Sequence, residues 1–426
     1  MSIDGINRPQ QPQQRTPLFR PAPPPQPPHP VNDHNAAPQF VPPQQVANNE
    51  QQLPHPDMGG GIQPGQPPKK RSVKQWLASR TKKQWIIFGV VAALLICSGV
   101  TAFVLLNSSD PVPTVAKKTV KTPPPPPPTS EASNLTGLQV GFDINKRPVT
   151  AIMIENSEDA RPQSGMDQAG VVFEAVAEGG ITRFLTLYQD TAPDYVGPVR
   201  SVRPYYIEWL LGFDAPVAHV GGSAQALALI KQWNVKDLDQ GRNGAYFRRI
   251  TSRYAPHNVY TSMAQMLQLS AAKGFTASQY TGFARKAKEE PAKTPNARVL
   301  NFNISGPVFN PQFIYDPATN SYARSQAGAP HMIVNGAGVQ AQIKPKVVIA
   351  MTMAQGHNGI YTTYGTLGTG HAYIFQDGMV IDATWHKSDK AVNYSFTDAA
   401  GKIIKLNPGQ AWISVVGSND RVAFTP

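Results

Sequence analysis

The 426-residue chain has a single cysteine, Cys97, inside an uncharged apolar run. That excludes a disulfide framework, a cysteine-rich zinc site and cysteine chemistry away from that run. Acids are scarce at the front: residues 1–133 hold six Asp/Glu against 13 Lys/Arg, whereas residues 134–426 hold 21 against 26. Large apolar residues are nearly missing from residues 1–68, where 18 of the 42 prolines lie. Such a segment cannot bury enough surface to offset its ordering entropy, so it is expected to be a disordered Pro/Gln-rich tail. No G-x-S-x-G elbow and no P-loop occurs, which removes the commonest hydrolase and nucleotide-binding signatures.

The front does contain an anchor signal. Residues 69–83 carry seven Lys/Arg and no acid, and Trp85 to Leu106 run 22 residues without a charge. At about 1.5 Å per residue, a helix of that length spans a hydrocarbon core about 30 Å thick. The basic flank predicts a cytoplasmic N-terminus, with everything after the span outside. It also suits an anionic inner leaflet. A cleaved signal peptide would need a far shorter basic region than the one preceding this run. A lipoprotein signal would need a small residue where Ile96 stands. The expected organisation is a cytoplasmic tail with a basic juxtamembrane segment (1–84), a signal-anchor transmembrane helix (85–106), a Pro-rich extracytoplasmic spacer (107–136), an α/β domain (137–290) and a mainly β domain (298–426).

In the body, strands are expected over the apolar runs 147–155 and 169–176, over 181–188, where apolar and polar residues alternate, and over the short buried run 215–220. Helices are expected over Pro204–Leu211, opened by proline, over Ala224–Trp233, capped by Ser223, and over Thr261–Lys273, stopped by Gly274. After the charged, proline-punctuated stretch 286–297, β-like runs recur at 308–315, 345–350, 370–375, 393–396, 402–406 and 411–416. Asp377-Gly, Ala400-Gly and Asn407-Pro-Gly separate several of them. The expected fold class is α+β: an α/β-like first domain followed by a mainly β second domain, with one N-terminal transmembrane helix and disordered flanks.

Residues 155–258 are dense in polar groups that core packing does not require. The motifs are Glu155-Asn-Ser with Arg161-Pro-Gln-Ser-Gly; Glu174 with Glu178-Gly-Gly-Ile-Thr-Arg183; Gly197-Pro-Val-Arg200-Ser-Val-Arg203; His219-Val-Gly-Gly-Ser223; and Phe247-Arg-Arg with Arg253-Tyr-Ala-Pro-His257-Asn258. Here, and at Trp385-His-Lys and Asn407-Pro-Gly-Gln-Ala-Trp412, the chain resembles the YerB-like family of bacterial cell-surface proteins. The resemblance covers roughly 145–426. It implies an extracytoplasmic protein near the cell wall, made of two adjacent domains of unknown function, and no particular reaction. The signal-anchor helix and the long tail depart from the lipoprotein look of that family.

The residues themselves suggest an anion cleft. Arg183, Arg200, Arg203 and Arg253 could converge with His257 on the strand-to-helix turn Gly221, Gly222 and Ser223, where free N–H groups favour anions. Glu155, Glu174 and Glu178 are the supporting acids. In the competing reading, these acids pair with the arginines as structural salt bridges. Tyr361, Tyr364, Tyr373, Phe375 and Trp385 either line a sugar-binding face or fill a core.

The expected function is that of a membrane-anchored envelope protein. It would bind an anionic or glycan wall component, or regulate a wall-building enzyme. The alternative is a wall-directed phosphotransferase or hydrolase using the arginine-rich cleft, distantly like the LytR-CpsA-Psr enzymes. No nucleophile–base pair stands out, so a catalytic role is the weaker expectation. No cofactor, no metal and no nucleic-acid partner is expected, since the strongest basic block lies beside the membrane.

Overall fold

The computed structural model describes residues 128–426, together with Thr81, Lys82, Ile86, Ile87, Val90 and Ala93. Most of the expected tail, most of the expected span 85–106 and most of the spacer lie outside the described residues. Met1–Thr119 and Val120–Pro426 are separate units. In the first, Lys82, Ile86, Ile87, Val90 and Ala93 are helical and exposed. Among the described residues no helix is long and apolar enough to cross a membrane.

In the second unit, strand outweighs helix, as an α+β fold requires. In chain order the elements that build it are β1 (Thr150–Glu155), β2 (Val171–Glu178), β3 (Ile181–Tyr188), α1 (Pro204–Leu211), β4 (Val217–His219), α2 (Ala224–Gln232), β5 (Asp237–Asp239) and α3 (Met263–Ala272). Then come β6 (Val299–Phe302), β7 (Pro311–Asp316), β8 (Ser321–Gln326), β9 (Val347–Thr352), β10 (Gln355–Asn358), β11 (Tyr361–Tyr364), β12 (Gly368–Gln376), β13 (Met379–Lys387), β14 (Ser395–Thr397), β15 (Ala411–Val416) and β16 (Val422–Thr425).

The central sheet runs β14-β13-β12-β9-β15-β2-β3-β1-β4-β5, and the β10–β11 hairpin branches from β2. Strand β15 lies parallel to both β9 and β2, so the late strands continue the sheet that the early ones begin. A second sheet, β8-β7-β6-β16 with Ala329–Pro330 at its edge, packs on one face.

Side chains alternate faces along each strand, and here both faces are buried. Ala151, Met153, Phe173, Leu185, Ile349 and Ile413 join Tyr206, Trp209 and Leu210 of α1 and Ile230 of α2 in one core. Ile152, Ile154, Val172, Phe184, Val348 and Trp412 join Met263 and Met266 of α3 and Phe302, Phe313 and Tyr322 of the second sheet in the other. This two-sided burial explains why β1 and β15 read as continuous apolar runs.

Turns obey local chemistry. Gly179–Gly180 closes β2–β3 and Asp377–Gly378 closes β12–β13, with positive φ at all four residues. That is the type I′ geometry whose twist matches antiparallel strands. One expected strand is corrected: Lys402–Leu406 forms only isolated bridges, Ile403 to Thr397 and Leu406 to Arg285. Ile403 is exposed there, so nothing rewards regular pairing.

Candidate functional site

The polar motifs gather at one end of the central sheet. The extended segment before α1 runs beside the turn after β4: Val220 N–H donates to the Arg200 carbonyl at 3.1 Å, and Val202 N–H donates to that of Gly221 at 3.1 Å. Gly221 has φ +60°, which a side chain would oppose. Ser223 Oγ accepts the Ala226 N–H at 3.2 Å and caps α2. Proline opens α1, where its missing N–H costs no helical bond. His219 is enclosed, with Nε2 at 3.0 Å from Asp237 and Nδ1 at 2.8 Å from the Gly221 carbonyl. It belongs to the turn's support.

The arginines divide by partner. Arg183 and Arg203, both buried, share the Glu178 carboxylate at 2.7 Å each. Burial alone would raise the Glu178 pKa; the two guanidinium charges outweigh it and hold the carboxyl below its usual range. Arg203 also stacks under Tyr361, with its guanidinium 5.0 Å from the ring centroid. Arg253 is pinned by the carbonyls of Ala160 and Pro162 at 2.6 and 2.7 Å. Glu155 meets Arg200 Nε at 3.2 Å and His257 Nδ1 at 3.0 Å. So the structure brings Arg183, Arg200, Arg203, Gly221, Gly222, Ser223, His257, Glu155 and Glu178 together, with Arg253 alongside through the 160–162 loop. Glu174 is placed elsewhere. It turns into the interior and pairs with Arg324, which the sequence reading did not single out.

Next to this cluster lies an open groove of about 450 Å³ between the N-terminal turns of α1 and α2 and the β10–β11 hairpin. Tyr205, Glu208, Gln225, Asn358, Tyr361 and Tyr364 line it. Tyr205 and Tyr364 are anchored at Val176: the first donates its hydroxyl hydrogen to the Val176 carbonyl at 2.8 Å, and the second accepts the Val176 N–H at 3.1 Å. Burial keeps both phenols protonated. Of the five aromatics flagged in the sequence, Phe375 and Trp385 are core, Tyr373 is half-buried against Phe424, and Tyr361 and Tyr364 reach the groove. Glu208, Gln225 and Asn358 were missed. The available signal was Gly359, the first residue of the two-residue loop Gly359-Ile360 between polar flanks, at φ +60°.

Residues 135–276 match the family model described as a protein of unknown function (DUF3048), N-terminal domain, and residues 300–413 match its C-terminal domain. YerB of Bacillus subtilis (strain 168), whose name marks it as a candidate lipoprotein, is 30% identical over 349 residues, covering 78% of this chain and 97% of YerB. This chain belongs to the YerB-like family. The crystal structure of the YerB protein from Bacillus subtilis is similar, with a TM-score of 0.62 at 26% identity, covering 69% of this chain and 99% of that one. The resemblance read from the motifs is therefore correct.

Several of the YerB-like motifs make packing contacts. Trp385 Nε1 donates to the Thr352 carbonyl at 2.9 Å. Gln410 Nε2 donates to the carbonyls of Met166 and Ala169 at 2.8 and 2.7 Å. Trp412 Nε1 donates to Glu174 at 3.0 Å. The last two tie a late motif to the early segment, a packing role.

Proposed function

We propose that this YerB-like chain is a membrane-held, extracytoplasmic protein of the cell envelope that binds a glycan component of the wall in the groove beneath the β10–β11 hairpin. Three observations support the location. A family relative is named as a candidate lipoprotein. The uncharged run 85–106 follows a basic segment. Helical Ile86, Ile87 and Val90 expose apolar side chains. A single span with the basic flank inside puts residues 107–426 outside.

The groove lining carries the ligand class. A sugar presents an apolar ring face and a rim of hydroxyls that donate and accept. Tyrosine rings match the face, and the Asn358 and Gln225 amides, which also donate and accept, match the rim. Glu208 is the one charged lining residue, and it accepts a hydrogen bond from the Thr366 hydroxyl. A neutral glycan therefore suits the groove better than a polyanion.

Pairing within the neighbouring cluster weighs against the phosphotransferase or hydrolase alternative. Arg183 and Arg203 are engaged by Glu178. Ser157 and Glu155 both approach His257 through the same Nδ1, at 3.2 and 3.0 Å. A nucleophile relay uses the two ring nitrogens separately.

The test is sedimentation of the full-length protein, in detergent, with purified wall glycan. Tyr361→Ala and Asn358→Ala should each weaken binding by about tenfold, the order expected for a lost aromatic anchor, with a cooperative melt retained. Wall binding that survives both substitutions would refute the groove.

A further inference from the structure

We infer that Arg200 and His257 form an oxyanion site, separate from the groove, that takes a phosphate group. Arg200 stands apart from the other arginines of the cluster. Arg183 donates to Glu178 and the Ser201 carbonyl, Arg203 to Glu178 and the Val202 carbonyl, and Arg253 to two carbonyls. Arg249 donates to Asn258, and Arg248 stacks on Tyr195 at 4.7 Å. Arg200 has one ion-pair contact, from Nε to Glu155 at 3.2 Å, whose angle falls short of a hydrogen bond. Its two terminal nitrogens make no hydrogen bond to any described residue, and the side chain is 24% exposed. A guanidinium fork held at its root and open at its tip is the arrangement that receives two phosphate oxygens.

His257 completes the site through the same brace. The second oxygen of Glu155 takes Nδ1 at 3.0 Å. An ionised carboxylate only accepts, so Nδ1 carries the proton and Nε2 is turned away from Glu155. Glu155 is nearly buried. One fixed carboxylate therefore orients both side chains. Asp159 is the opposing charge: its carboxylate lies 3.8 Å from Nε2 and is 83% exposed. An incoming phosphate must displace it, so its removal should help binding.

Calorimetry of the full-length protein with inorganic phosphate, and separately with a glycerol phosphodiester, tests the site. Arg200→Ala and Arg200→Lys should both weaken binding by about tenfold or more, because a lysine keeps the charge and loses the fork. His257→Gln should weaken it, and Asp159→Asn should tighten it by roughly threefold, the scale of one exposed charge. Tighter binding of the diester would point to a polymer backbone, and tighter binding of inorganic phosphate to the free ion. No binding of either ligand, or unchanged affinity in Arg200→Lys, would overturn the assignment even if Arg200→Ala fails to fold. Tyr361→Ala should leave phosphate affinity intact, so failure of the glycan reading and failure of this one are distinguishable.

Discussion

Arg324 Nη2 donates to both carboxylate oxygens of Glu174, at 2.8 and 3.0 Å, with both side chains wholly buried. The pair joins β8 of the second matched segment to β2 of the first. Trp412 lies under the guanidinium at 4.8 Å and donates its own N–H to Glu174 at 3.0 Å. Arg324 Nη1 donates to Gln326 at 2.7 Å and to His331 Nδ1. Burial and the Arg324 charge hold His331 well below the histidine range, so it is neutral and can accept. Breaking one side leaves a buried charge unpaired. Glu174→Gln or Arg324→Met alone should therefore cost about 3–5 kcal/mol, while the double replacement costs clearly less than the sum. Urea melts of the four proteins measure this. Additive losses would mean the two charges act independently.

Glu178 supplies an acid-sensitive brace. Its folded-state pKa lies below the ordinary value because the attraction of Arg183 and Arg203 outweighs the effect of burial. A group depressed in the folded state contributes fully above its unfolded value and loses that contribution as pH falls through the folded value. The stability gap between the wild type and Glu178→Gln should therefore be widest above about pH 5 and shrink below about pH 4. A gap that stays constant from pH 7 to pH 3 would count against the linkage.

Local chemistry was legible where one short-range rule dominated. β3 and α1 fall at the residues expected from alternation and from proline at the first helical turn. Ser223 caps α2 as its side chain suggests. Pairing was not legible. That β15 inserts between β9 and β2 depends on pairing Ala411 with Val347 on one side and with Val171, 240 residues earlier, on the other. Alternation sets Arg324 on the same face of β8 as Tyr322, but the carboxylate that neutralises it there comes from β2, 150 residues earlier in the chain. The candidate site was legible as a set of residues and not as a charge distribution. Which arginines are occupied is decided by Glu155 and Glu178 across the sheet. The groove depends on a polar hairpin whose alternation carries almost no apolar signal.

Gly282 sets how the short hairpin formed by Glu131–Ala132 and Gln139–Val140 docks. A Cβ there would lie 1.8 Å from the Asn134 carbonyl oxygen and 2.9 Å from its carbon. The obstacle is backbone, and the Asn134 N–H is tied to Asn145 at 2.8 Å, so this turn cannot yield as a side chain could. Gly282→Ala should destabilise by roughly 1–3 kcal/mol, as overpacking does, and expose the segment around 130–140 to protease. An unchanged digestion pattern and melting temperature would show that the hairpin is not seated by this contact.

Lys387 gives the fold a titration in the alkaline range. Its ammonium donates to the carbonyls of Lys390, at 3.0 Å, and Val392, and lies 5.2 Å from the Tyr394 ring centroid. Burial pushes the amine down to about 8, against the opposing pull of Glu208 and Asp389. The folded value is therefore below the unfolded lysine value of 10.5. Below about pH 8 both states are charged and the folded protein bears the full cost of the buried cation; that cost fades as pH rises toward the unfolded value. Lys387→Met removes the titration while keeping an unbranched side chain. The stability of the wild type relative to Lys387→Met should rise by about 2 kcal/mol between pH 8 and pH 10.5, since one pKa unit corresponds to about 1.4 kcal/mol. Chemical melts at those two pH values decide it. A difference that stays flat or falls would mean that the carbonyl cage stabilises the ammonium enough to cancel its desolvation.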